Sequence, residues 1–236
     1  MRSVLEQQGD FTLEYIIIDG GSTDGSVEII KRFAQSDARV QWVSESDHGQ
    51  SDAINKGLRR ATGEVIAFLN SDDIYFPGTL QAVAERFQQP AVQWAYGRCK
   101  IINIQDQETT TLVTWYKNIL GYWYQRWLLL VVNYISQPAV FWRRSLLQQV
   151  GELNPSEHLV MDYDLWCRFA QQAPATPMRR YLAGFRLYPT SKSGHRYKQQ
   201  FAQEYQVAKR YTRNALLLAL HRLHATLIVL VYRFTR

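Results

Sequence analysis

Two carboxylates stand side by side behind an apolar run, in Phe68-Leu69-Asn70-Ser71-Asp72-Asp73. Adjacent carboxylates there suit a hard divalent cation, which takes oxygen ligands and keeps positions open for phosphate oxygens. An Asp pair that merely caps the next turn is the plainer alternative. In Ile16-Ile17-Ile18-Asp19-Gly20-Gly21-Ser22-Thr23-Asp24-Gly25-Ser26, an apolar run closes on an acid and a glycine turn. Glycine lets a backbone approach a ligand closely, and a carboxylate at that point can accept hydrogen bonds from a base or a ribose. An ordinary strand-to-helix turn reads the same way. The segment Asp47-His48-Gly49-Gln50-Ser51-Asp52-Ala53-Ile54-Asn55-Lys56-Gly57 puts polar groups, Asp52 among them, at a helix start. Backbone N–H groups favour anions at such a start, and Lys56 could reach a phosphate or simply belong to a polar cap. In Met161-Asp162-Tyr163-Asp164-Leu165-Trp166-Cys167-Arg168 the two acids are two apart and cannot share one helix face. One can therefore face a site as a general base, while the other caps the helix or pairs with Arg168.

These residues need a frame. Residues 13–18 read as a buried strand and 26–35 as a helix with Val27, Ile30, Phe33 and Ala34 on one face, capped by Asp24 or Ser26. A strand over 40–43, a helix over 51–61, a strand over 64–69 and a helix opened by Pro77 follow. Strand–helix alternation implies an α/β fold with a mostly parallel sheet and helices on both faces. Ligands of such sheets bind at the carboxyl ends of the strands. Strands are expected over 91–96, 98–104, 109–114 and 179–188, with short helices at 144–150 and 162–173. One or two helices are expected from Tyr197 to the end. There Leu216, Leu220, Leu223, Leu227, Leu230 and Phe234 recur at spacings of four and three, a heptad-like seam. That stripe packs on the domain or a partner helix, or lies on a membrane surface. His221, Arg222 and His224 interrupt it and argue against a spanning helix.

Composition bounds the rest. A chain of 236 residues with 46% apolar and 20% charged residues can bury one sizeable core. Its two cysteines, Cys99 and Cys167, lack metal spacing and suit a reducing compartment. The first residues have no apolar stretch of signal-peptide type, so a cytoplasmic location is expected, peripheral to the inner membrane if the tail binds it. Net charge is +6, yet from Leu165 onward there are thirteen Lys/Arg and one carboxylate, Glu204. A basic tail suits an anionic membrane surface, a phosphorylated substrate or nucleic acid. With no nucleic-acid motif beside it, nucleic acid is not expected as a partner.

Taken in order, IIIDGGSTDGS, SESDHGQSDAINKG, FLNSDD, ISQPAVFW and MDYDLWCRF resemble family 2 glycosyltransferases over residues 3–193. The resemblance implies the Rossmann-like nucleotide-sugar-binding fold called GT-A over residues 1–196, with a helical tail over 197–236. It implies an inverting transfer from a UDP-, GDP- or dTDP-sugar to a hydroxyl of a lipid-linked or surface glycan. Asp19 would sit by the nucleotide base. Asp72 would hold Mn²⁺ or Mg²⁺, with Asn70, Ser71 and Asp73 around the donor; Asn70 stands where many relatives carry Asp. Asp162 would be the catalytic base, and Met161 replaces the usual preceding acid. Asp52, Lys56, Lys192, His195 and Arg196 would complete the donor site. Gln125-Arg126-Trp127 lacks the spacer of processive members, so single addition is expected. Trp115, Trp123, Trp127 and Trp142 are candidates for an acceptor groove or for the core. Relatives usually begin with a central apolar strand that this chain lacks at its start. The expectation is then a sheet with its first strand missing. The alternative function is a non-catalytic truncated remnant that binds a partner or a membrane, and the tail could also mediate self-association.

Overall fold

A computed structural model of the chain describes residues 1–188 and 196–235, the last five by backbone alone. After a short helix α1 (Arg2–Leu5), the chain alternates strand and helix. These are β1 (Tyr15–Asp19), α2 (Ser26–Ser36), β2 (Val40–Ser44), α3 (Gln50–Arg60), β3 (Val65–Ile66), β4 (Ile74–Tyr75) and α4 (Thr79–Phe87). Then come β5 (Trp94–Ile102), α5 (Thr111–Leu120), α6 (Arg126–Val131), β6 (Val140–Arg143), α7 (Arg144–Val150), α8 (Met161–Gln172), β7 (Thr176–Arg186), α9 (Tyr197–Tyr211) and α10 (Ala215–Thr235).

The alternation gives parallel pairing where it is cleanest, between β1 and β2. A second sheet runs β3-β6-β5-β7-β4 and is mixed: β5 and β7 are parallel and the other pairs antiparallel. The segment expected as two strands over 91–104 is one strand with a bulge at Gly97 and Arg98. A Cβ on Gly97 would lie 2.4 Å from the Leu182 side chain, so only glycine lets the strands approach there. Residues 109–114, rich in β-branched Thr and Val, were expected as a strand but begin α5. Thr109 does pair with β5, donating its N–H to Ile101 O at 2.8 Å beside a bridge between Glu108 and Ile102, but the chain then turns away into α5.

The core lies under the second sheet. Trp94 and Trp142 face each other in register across β5 and β6, and both are fully buried. Trp166 of α8 stacks on Trp94 at 6.0 Å and meets Trp142 edge-on at 5.7 Å, with Phe169 closing the cluster. Of the four tryptophans read as groove or core, Trp142 is core, whereas Trp115, Trp123 and Trp127 are exposed. Helix α9 packs on α8 and α6 and buries Val207 and Ala208.

The β1–β2 pair and the larger sheet are not joined by a ladder; β1 and β3 border a cleft of about 1190 Å³ instead. Tyr15 N donates to Arg39 O and Asp19 O accepts from Glu45 N, so the odd residues of β1 face β2. Pairing alternates along a strand, and Ile16 and Ile18 accordingly turn their backbone toward the cleft, which they line. Ile54 and Leu58 of α3 and Val83 and Phe87 of α4 form its apolar walls.

Candidate active site

At its polar end the same cleft is lined by Asn70, Ser71, Asp72, Gln137, His158, Asp162, Tyr188 and Gln200. A ligand pocket usually measures about 300–1000 Å³, so this cavity has room for a substrate as well as the gap between the strands. The acids of two distant motifs, Asp72 and Asp162, therefore open onto one space.

The turn after β3 is fixed by its own side chains. Gln50 donates to Asn70 Oδ1 at 2.7 Å, and Asn70 Nδ2 donates to Asp73 Oδ2 and to Gln137 Oε1, each at 3.1 Å. Gln137 in turn donates to Phe68 O at 2.6 Å. Asp73 points away from the solvent-facing side: it is buried, accepts from Arg186 N at 2.8 Å, and burial pushes its carboxyl up to about 7. Asp72 is half-buried and accepts from Tyr188 at 3.2 Å. Of the adjacent pair, Asp73 anchors the turn to β7 and Asp72 is the one presented to the cleft. Among the described residues no three acidic, His or Cys side chains cluster as a closed metal cage. One carboxylate suits Mg²⁺ or Mn²⁺ nonetheless, since such ions are commonly held by one or two carboxylates plus substrate phosphates.

Asp162 stands at the start of α8, half-buried, with Oδ1 accepting from Tyr163 N at 2.8 Å. Burial raises its pKa, against the pull of Lys117. Asp164 faces the other way, as the spacing required. It is buried and bound by Arg168 Nε at 3.0 Å, Arg210 Nη2 at 3.1 Å and Tyr211 at 2.9 Å. Met161 is buried and accepts a hydrogen bond from Ser51 on α3 through its sulfur at 2.9 Å.

Asp19 ends β1 buried, its Oδ2 accepting from Gly21 N at 3.0 Å, Ser22 N at 2.9 Å and Ser44 Oγ at 2.7 Å. Burial opposes its charge, but the hydrogen bonds from Ser22, Ser44 and Gly21 prevail and hold the carboxyl below its ordinary range. A Cβ on Gly20 would stand 2.2 Å from Asp47 Oδ2, so a larger residue there would push the Asp47 carboxylate aside. Lys56 is half-buried and held by Glu45 at 3.0 Å, Ser46 O at 2.8 Å and Asp52 at 3.6 Å. An incoming phosphate would have to compete with these partners. Asp52 also accepts from His48 N at 3.1 Å. Arg196 is exposed at the head of α9, one turn before Gln200. Lys192 and His195 lie outside the described residues.

Two further residues gather at Asp162 that no motif pointed to. Glu204 of α9 is buried, accepts from Asn133 and Gln200 at 3.1 Å each, and burial pushes its carboxyl up to about 7. Lys117 of α5 has its pKa lowered by burial, and both lie within electrostatic reach of Asp162. They stand 45 and 42 positions from it in the chain, so only packing brings them together. Gln137 does sit in a motif, Ile135-Ser136-Gln137-Pro138, that carried no assigned role.

The sequence profile of glycosyl transferase family 2 matches residues 1–151. An uncharacterised glycosyltransferase of Nostoc sp. is 36% identical over 108 residues, 45% of this chain and 33% of that protein. A PGL/p-HBAD biosynthesis glycosyltransferase of Mycobacterium bovis is 31% identical over 159 residues, 66% of this chain and 57% of that protein. Among solved structures, a mannosyltransferase from Pyrobaculum calidifontis in complex with GDP-Man and Mn²⁺ aligns with a TM-score of 0.70 at 18% identity. The alignment covers 94% of this chain and 63% of that one. S. aureus TarS in complex with UDP-GlcNAc aligns with a TM-score of 0.65 at 14% identity, over 87% of this chain and 60% of that one. The chain thus spans between a third and just under two thirds of these proteins' lengths. The structural likenesses show the GT-A fold. With its strand-end acids, its Asn70-Ser71-Asp72-Asp73 turn and the profile match over most of its length, the chain belongs to glycosyl transferase family 2.

Proposed function

We propose that this chain transfers a sugar, with inversion, from a nucleotide-sugar donor to an acceptor hydroxyl. The observation that supports this reading best is the shared cleft of Asp72 and Asp162. Asp162 takes the proton of the acceptor hydroxyl as that oxygen bonds to the anomeric carbon. The bond from the anomeric carbon to the donor phosphate oxygen breaks in the same displacement, and the nucleoside diphosphate leaves. A carboxylate whose pKa is raised toward neutrality by burial is a better general base than an ordinary one.

Asp72 is the proposed contact of a divalent cation, which would supply positive charge against the departing diphosphate. Asp19 is assigned to the nucleoside, and Asn70 and Ser71 to the donor's ribose and phosphate side, with the buried Asp73 holding their turn to β7. Lys56, Lys192 and Arg196 are proposed to help hold the diphosphate, with Asp52 orienting Lys56 on the donor side. The acceptor is taken to be a lipid-linked or surface glycan, and the reaction to run in the cytoplasm at the inner membrane surface. A binding-only role is the second reading; the gap between β1 and β3 favours it, because an unfilled sheet positions Asp19 less firmly.

Release of nucleoside diphosphate from UDP-, GDP- and dTDP-sugars, with Mn²⁺ or with EDTA, tests the two. Metal-dependent release lost in Asp162→Asn supports transfer. No release from any donor by the folded chain supports the binding role.

A further inference from the structure

Helix α10 is apolar on both faces, with Leu217, Leu218, Ile228 and Val229 half-buried on the inner one. Its inner face carries His221, which is buried with Nδ1 2.8 Å from Leu130 O, and His224, whose ring stacks on Tyr116 of α5 at 6.0 Å. Its outer face presents Leu216, Leu220, Leu223, Leu227 and Leu230, all exposed. The outer face of a globular helix is normally polar.

Across the Tyr116–His224 contact, α5 does the same. Leu112, Trp115 and Ile119 fall at spacings of three and four and are exposed, Leu112 by 81% and Trp115 by 64%. Trp123 and Trp127 extend this stripe along the chain, also exposed. Two apolar stripes therefore flank one helix–helix contact. Single exposed apolar residues need no explanation, but contiguous ones mark an interaction surface.

Its border is cationic. Arg179 lies 5.8 Å from the Trp123 ring, Arg126 adjoins Trp127, and Arg222 is exposed on the flank of the leucine stripe. Residues 197–236 hold seven Lys/Arg and a single acid, Glu204, which is buried. Among the described residues no helix is long and apolar enough to cross a membrane. Exposed Trp and Leu ringed by Arg, on helices that do not span, match a surface that lies in the headgroup layer of an anionic bilayer. We propose that the α5–α10 face is a docking surface for anionic lipid bilayers.

The leucine spacing would also fit a second copy of the chain. A two-fold dimer through this face, however, would bring the cationic borders of both copies, with Arg126, Arg179 and Arg222, into one interface. The bilayer satisfies the charge as well as the apolar area. The orientation also serves the acceptor named above, and in that respect alone it rests on the transferase reading. On α5, Trp115 and Ile119 are exposed while Lys117 is half-buried and within electrostatic reach of Asp162, which places the proposed base near this face.

Co-sedimentation of the full chain with vesicles tests this, using phosphatidylcholine alone and phosphatidylcholine mixed with phosphatidylglycerol. Tryptophan emission is followed in parallel. Binding at least about tenfold tighter to the anionic vesicles is expected, with a blue shift and weakening by salt. The double variant Leu220→Glu/Leu227→Glu, and separately Trp115→Ser/Trp123→Ser, should each lose about tenfold or more while keeping the circular dichroism of the parent. Asp72→Ala should bind vesicles normally even where nucleotide binding fails, which separates this surface from the donor site. Binding to neither vesicle overturns the proposal, as does binding that the folded variants leave unchanged. A dimer in solution that Leu220→Glu/Leu227→Glu dissociates, without vesicle binding by the parent, would assign the face to a second copy and overturn it too.

Discussion

Around Trp142 the chain closes Trp94, Trp166 and Phe169 into ring-to-ring contact with no exposed surface, whereas Ile16, Ile17 and Ile18 of β1 remain half-open. The first region places Asp162, at the head of the helix that carries Trp166 and Phe169. The second places Asp19, at the end of a strand paired on one edge only. The proposed base thus stands on the best-packed element, and the proposed nucleoside contact stands on a two-stranded ribbon beside a cleft. Catalytic geometry and donor geometry are therefore expected to have different stabilities within one chain.

The contrast can be broken most directly by truncation in the core. Trp142→Ala should destabilise the chain by about 3–5 kcal/mol, read from urea unfolding. Ile18→Ala, on the open strand, should cost about 1 kcal/mol. Equal losses would mean that β1 is as well packed as the aromatic cluster.

Asp162→Asn tests the tight region for chemistry rather than stability. Transfer should fall about 10²–10⁴-fold, while the unfolding midpoint holds or rises because a buried charge is removed. A fall in both would mark Asp162 as structural.

Glu204 sharpens the electrostatic side. Its folded pKa, about 7, lies above its ordinary value of 4.5. The fold therefore favours the protonated form, and stability is fully present below pH 4.5 and declines as pH rises to 7. Over that window the decline from this group is up to about 3 kcal/mol. Glu204→Gln should flatten the profile; an unchanged slope would show that the carboxyl is solvated.

The smallest effect is local. Amides of Ile16 and Ile18, which face the cleft, should exchange with solvent sooner than those of Trp94 and Ala95 in the middle of the larger sheet. Uniform protection would remove the distinction between the regions.

Much of this was legible in the residues. The places of the acids at strand and helix ends were readable, because short apolar runs ending in Asp-Gly or Asn-Ser-Asp leave little choice of element. The opposed roles of Asp162 and Asp164 followed from helix geometry alone. Sequence periodicity failed where packing decided: Thr109 to Thr114 has β-branched residues, but only Thr109 pairs with β5 before the chain turns into α5. It failed also for Lys117 and Glu204, whose meeting with Asp162 depends on how α5 and α9 pack, and for the tail, whose seam spacing is the same whether the leucines face in or out. The division of Asp72 from Asp73 needed the hydrogen bond to Arg186, far along the chain.

Calorimetric titration of the chain with UDP, GDP and dTDP, in Mn²⁺ or Mg²⁺, with Asp72→Ala alongside, bears most directly on whether this cleft is a nucleotide-sugar site. The account predicts saturable, metal-dependent binding of at least one nucleotide by the parent, lost in Asp72→Ala. Binding that persists without metal or in the variant, or no binding by a chain that circular dichroism shows to be folded, would contradict it.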